Sequence, residues 1–166
     1  NVGGYNLLEY LSDFNNVKKQ GINGPIFALI ALDTKNYEIP INPSAKVQNT
    51  RDTMIDYILE KEIKTGTEEA GGWALSGTTP DPDITAMALQ ALSKYKDNEK
   101  VKPYIDRALD KLSGIQNEDG GFASWGSVNS ESIAQVITAL TSLGIDPAKD
   151  SRFIKKICNV NSSNAN

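Results

Sequence analysis

Asp81 and Asp83 flank Pro82 directly ahead of the apolar run Ile84 to Leu92. Acid, proline, acid is what the head of a helix asks for. The first side chain caps free N–H groups, the proline needs no N–H, and the second charge sits at the positive end of the helix dipole. Asn129-Ser130-Glu131 offers the same chemistry without the proline, ahead of a run that ends near Leu143. Aligned on the runs that follow, Asp83 matches Glu131 and, less closely, Asn23. Capping alone accounts for this spacing and is the preferred reading. A ring of such acids and amides could also bind a cation or a polar ligand, so Asp81, Asp83 and Glu131 are the candidate ligand residues. The aromatics Trp73, Phe122 and Trp125 lie in loops near them and complete the candidate set.

The residue types that are missing narrow the chemistry further. The 166 residues include no histidine and a single cysteine, Cys158. The commonest general base and transition-metal ligand is therefore gone, and no internal disulfide can form. Cys158 stands in an apolar pattern and reads as a buried structural thiol. Glu69, Glu118 and Asp119 belong to separate loops with no EF-hand spacing, so neither a metal nor a cofactor is expected. No phosphate-cradling glycine loop and no serine-nucleophile elbow occurs. Net charge is −4, and Lys155-Lys156, the nearest approach to a basic stripe, reads as a solvated helix face. Nucleic acid is not an expected partner. No apolar run approaches the ~18 residues of a membrane span.

The elements that must position these residues come from an internal repeat with a period near 50. Ala28-Leu29-Ile30-Ala31-Leu32 recurs as Ala88-Leu89-Gln90-Ala91-Leu92 and as Val136-Ile137-Thr138-Ala139-Leu140. Met54-Ile55-Asp56-Tyr57-Ile58 matches Tyr104-Ile105-Asp106-Arg107-Ala108 and Phe153-Ile154-Lys155-Lys156-Ile157, with Leu7 to Leu11 a fainter copy. Between them recurs a glycine-pair loop, Gly71-Gly72-Trp73 and Gly120-Gly121-Phe122. Val101, Tyr104, Ile105, Ala108, Leu109 and Leu112 form one apolar stripe, an outer helix with a wet face. Ile84 to Leu92 is apolar almost all round, an inner helix covered on most sides. The pattern predicts outer helices near 5–19, 50–64, 99–116 and 149–158, and inner helices near 25–34, 83–95 and 131–143. No stretch alternates long enough to be a strand. The fold class is all-α, about three helical hairpins over 1–158 with repeats near 20–66, 67–116 and 117–158. Residues 159–166 read as a disordered polar tail.

These residues resemble the prenyltransferase and squalene-oxidase repeat, the helical-hairpin unit of α/α toroids. Gly71-Gly72-Trp73, Asp81 through Ala88, and Gln116 leading to Gly120-Gly121-Phe122 carry the likeness over nearly all of 20–158. The stretch from Asn129 to Pro147 is most similar to a bacterial branch whose members are secreted or surface-attached. The resemblance implies that Gln116 and the loop aromatics tie neighbouring repeats together. It also maps Asp81-Pro82-Asp83-Ile84-Thr85-Ala86 onto the Asp-x-Asp-Asp-Thr-Ala motif of protonating terpene cyclases, with Asp83 in the place of the general acid. Here Ile84 replaces the last acid. A closed toroid holds about six hairpins and this chain about three, so further repeats or a second copy would have to cover the open ends. The chain begins at Asn1 rather than Met and reads as a piece of a longer one.

The function expected on these grounds is a non-catalytic ligand-binding or scaffold module of an extracellular or cell-surface bacterial protein. Its partner would be a small molecule, a corrinoid or another bulky ligand by analogy with the family's vitamin B12 carriers, or a protein. A terpene- or squalene-cyclase-like enzyme using Asp83 and a protein–protein interaction array are the alternatives.

Overall fold

Thr50, Asp81 and Asn129 each cap the head of a helix with their side chains, and the apolar runs behind them fold as those helices. The computed structural model describes residues 2–155. Among these are six α-helices: α1 (Phe14–Val17), α2 (Asn23–Asp33), α3 (Arg51–Glu60), α4 (Pro82–Leu92), α5 (Lys102–Ile115) and α6 (Ser130–Ser142). Short 3-10 turns adjoin α1 and α4. The only strands among the described residues are β1 (Ala123–Ser124) and β2 (Ser127–Val128), paired antiparallel.

Helices α2, α4 and α6 form an inner row with α4 in the middle; α3 packs on α2 and α5 on α4. The inner helices end together. Asp33, the last residue of α2, accepts hydrogen bonds from Tyr95 Oη (2.7 Å) and Lys94 Nζ (2.6 Å), both just past α4. Lys96 Nζ donates to the Leu143 carbonyl beyond α6 (3.1 Å). Their heads therefore lie together at the opposite end. Burial follows the row. Ile84, Ala86, Ala88, Leu89, Ala91 and Leu92 of α4 are all buried, as expected for a helix covered on both flanks and from outside. Each fully buried leucine contributes roughly 1.5–3 kcal/mol.

The outer helices keep one wet stripe. Buried Ile105, Ala108, Leu109 and Leu112 alternate on α5 with exposed Lys102, Asp106 and Asp110. The bridge between outer elements is ionic. Glu62, just past α3, accepts two hydrogen bonds from Arg107 of α5, from Nε at 2.8 Å and from Nη2 at 2.9 Å.

Two expected outer helices differ. Residues 5–19 are broken into a 3-10 turn (Leu7–Leu11) and the four-residue α1. The break at Ser12-Asp13 is imposed from a distant segment. Asn49 N donates to Ser12 O (2.7 Å), Asn49 Nδ2 to Leu11 O (2.7 Å), and Phe14 N to Val47 O (2.9 Å). Groups that would continue a helix are thus held by residues 47–49. Over 149–155 the chain makes turns rather than a helix. Asp150 binds both the backbone N–H and the guanidinium of Arg152, and a side chain that satisfies its own neighbours competes with helical pairing. Lys155 is no solvated lysine: its Nζ donates to Ser113 O (3.0 Å). Lys156, Cys158 and the tail 159–166 lie outside the described residues.

Candidate functional site

The head of α4 is assembled from three segments. Asp81 is its N-cap, and Oδ1 accepts from the N–H groups of Asp83 (2.9 Å) and Ile84 (3.0 Å). Oδ2 accepts from Ser124 Oγ at 2.6 Å, so both oxygens are engaged and the carboxylate joins α4 to the β1–β2 hairpin. The Asp81 N–H donates to Trp73 O (2.9 Å). Thr85 closes the arrangement, accepting from Trp73 N (2.9 Å) and donating to Trp73 O (3.1 Å). Gly72 must be glycine here. Its φ is +75°, and an added Cβ would lie 2.9 Å from Pro80 Cβ and 3.0 Å from Thr85 Oγ1.

The β1–β2 hairpin projects beside this head. Its central residues Trp125 and Gly126 have φ of +53° and +80°, the pattern of a type I′ turn. A left-handed tryptophan is uncommon, and this one is 85 % exposed. Between hairpin and helix head lies a cleft of about 320 Å³, lined by Leu75, Pro80, Asp81, Ile84 and Trp125 among others. Leu75 is itself half exposed. The cleft is thus an apolar trough with one carboxylate at its edge. Its volume is at the low end of the ~300–1,000 Å³ typical of ligand pockets, which suits a small molecule or one edge of a larger one.

Of the six candidate ligand residues, Asp81 and Trp125 meet at this cleft. The other four do not line it. Asp83 is half-buried at the second position of α4, and its Oδ1 is buried with no hydrogen-bond partner. Glu131 is exposed at the head of α6, where Asn129 is the cap (Oδ1 accepting from Ser132 N at 2.8 Å). Trp73 is wholly buried, and its indole N–H donates to Ile58 O of α3 (2.7 Å). Phe122 is buried in the hydrophobic core. Gln116 ties its own loop to the next repeat, donating from Nε2 to Gly120 O (2.9 Å) and Phe153 O (3.2 Å).

Ser124 and Leu75 were not foreseen. Ser124 acts across 43 residues of sequence, a pairing no local pattern announces. Leu75 stands alone in a polar loop. A Trp-Gly pair at a hairpin tip was the available clue to the turn, weakened because type I′ turns favour Asn or Asp before glycine. Among the described residues no group of three or more His, Cys, Asp and Glu side chains could hold a metal. No helix among them is long and apolar enough to cross a membrane.

A family model described as the squalene-hopene cyclase C-terminal domain matches residues 27–157. No curated protein and no solved structure gives a significant match.

Proposed function

Because the chain belongs to the squalene-hopene cyclase C-terminal domain family, we propose that it keeps the family's helical scaffold as a non-catalytic binding module. Its ligand would occupy the cleft between Trp125 and the head of α4. One observation carries this reading. In the acid motif, Asp81 spends both oxygens on backbone and Ser124 contacts, and Ile84 stands where the motif has its last acid. The motif's fold-holding residues are intact while its acid chemistry is thinned. Meanwhile the exposed Trp125 ring offers a face for an apolar, aromatic or cationic group. A secreted or cell-surface setting belongs to the same proposal and rests on the resemblance to the bacterial branch.

A second reading has its own support. Asp83 Oδ1 is buried and unpartnered, and Asp83 holds the place of the general acid in the cyclase motif. On that reading the protein would protonate a polyprenoid alkene and cyclise it. Incubation with squalene and with geranylgeranyl diphosphate separates the two. The binding module gives no cyclised product, and native mass spectrometry of protein from cell extract finds a retained ligand that Trp125→Ala loses. Cyclised product that disappears in Asp83→Asn would overturn the binding reading.

A further inference from the structure

We propose that the open face of α6 docks on the open face of α2 of a second copy of this chain, with Thr138 of one copy set against Phe27 of the other. The pair would close on itself, each copy covering both ends of its partner. This goes beyond the cleft and does not depend on it.

The outer helices show what a solvent face looks like in this protein. Asp52, Asp56 and Glu60 are exposed on α3, and Lys102, Asp106 and Asp110 on α5. The exposed stripes of the two end helices of the inner row are different. On α2 and its C-cap the stripe is Phe27, Ala31 and Thr34, with Phe27 51 % exposed. On α6 it is Ala134, Thr138 and Thr141. Neither stripe carries a charge: Asp33 of α2 is paired with Arg51, and Glu131 sits at the extreme head of α6. An uncharged stripe on an exposed helix is the mark of a face meant to be covered.

The repeat supplies the mate. Phe27, Met87 and Gln135 are equivalent positions, and so are Ile30, Gln90 and Thr138. Within the chain, Gln90 Nε2 reaches across from α4 to Gln135 of α6, at 3.2 Å from Oε1. The first kind of position therefore faces the preceding inner helix and the second kind the following one. Burial tracks this register. Met87, Gln135, Ile30 and Gln90 are half-buried, whereas among the described residues Phe27 has no inner helix before it and Thr138 no inner helix after it, and both are exposed. Ala31 is exposed while its equivalents Ala91 and Ala139 are buried. Continuing the α4–α6 interface by one step sets Thr138 on Phe27 of a second copy. Because the inner helices are parallel, a two-fold axis along them satisfies both open faces at once.

Sedimentation equilibrium between about 1 and 100 μM, a span chosen to bracket micromolar affinity, tests this. The expected mass is twice 18.0 kDa. Phe27→Glu should weaken association by roughly a hundredfold to ten-thousandfold, because the closed pair holds the contact twice and each loses a buried aromatic anchor. Adding Thr138→Lys to Phe27→Glu should recover part of that loss, since the two new charges meet only in this register. Asp106→Lys, on the wet face of α5, should change nothing. Ala31→Arg replaces Phe27→Glu if circular dichroism shows that variant unfolded. A parent protein that stays monomeric, aggregates that grow without closing at a pair, a dimer indifferent to both α2 variants, or a double variant no tighter than Phe27→Glu would each overturn the proposal.

Discussion

The Glu62 carboxylate is completely buried and meets the guanidinium of Arg107 through two hydrogen bonds, while the central carbon of that guanidinium lies over the Tyr104 ring, 4.5 Å from its centre. The hydrogen bonds to Glu62 raise the Arg107 pKa further above its ordinary value, so the guanidinium stays charged. A buried ion is tolerated only while its partner is present. Arg107→Met should therefore cost about 3–5 kcal/mol of unfolding free energy. Glu62→Gln combined with Arg107→Met should cost less than Arg107→Met alone, because no lone charge remains. Urea unfolding of the three proteins checks the ordering. Equal losses would mean that packing, not charge pairing, dominates.

Asp81 acts as cap and as cross-link. Asp81→Ala should lose the cap, about 1 kcal/mol, and the Ser124 contact with it. Asp81→Asn keeps a capping oxygen and a group for Ser124, so it should stay close to the parent. A double-mutant cycle of Asp81→Ala with Ser124→Ala measures the cross-link itself, and a coupling energy near zero would show that the 2.6 Å contact is idle.

Gly72→Ala should be worse than the loss of the Asp81 cap. It adds a methyl group 2.9 Å from Pro80 Cβ on a backbone at φ +75°. Strain at such a position costs of order 1–3 kcal/mol before the clash is counted. Gly126→Ala, also at positive φ but with nothing within 4 Å, should cost only the backbone part. The difference between their melting temperatures reads the clash.

Acid should loosen the segment after α6. Hydrogen bonds from the Arg152 guanidinium, then from its backbone N–H, hold the Asp150 carboxyl at about 2, below its ordinary 3.8. A carboxyl depressed in the folded state stabilises it above the unfolded value and loses that contribution as pH falls through the folded one. The stability gap between the parent and Asp150→Asn should be full at pH 5 and close as pH approaches 2. Urea midpoints across that range measure it. A gap that persists at pH 2 would show that the asparagine acts by another route.

The inner helices were legible because their signals are local and agree. Asp81-Pro82 starts α4, and Asn129 starts α6. The apolar runs that follow match the burial that packing demands. Residues 5–19 failed because Leu7, Leu8 and Leu11 carry a helical stripe, while their fate is decided by Asn49 and Val47 binding the backbone at 11–14. The 149–155 stretch failed for a nearer reason, the Asp150–Arg152 clasp. At the site, spacing alone could make Asp81 a cap. It could not disclose that Ser124 takes the other oxygen, nor that Trp125 tips a hairpin two residues to a strand. Gln116 bridging to Phe153 and Trp73 bonded to Ile58 agree with aromatics and glutamine as ties between repeats.

The two tryptophans differ as much as two can within one chain. Trp73 is fully enclosed, whereas Trp125 stands 85 % in water beside the cleft. The protein thereby contains its own pair of optical reporters. Trp73 emits from an apolar, quencher-proof interior and reddens only when the core opens. Trp125 is reached by iodide while the fold is intact, and a ligand settling in the cleft would shield it. Folding and occupancy can be followed in one cuvette, with no label attached.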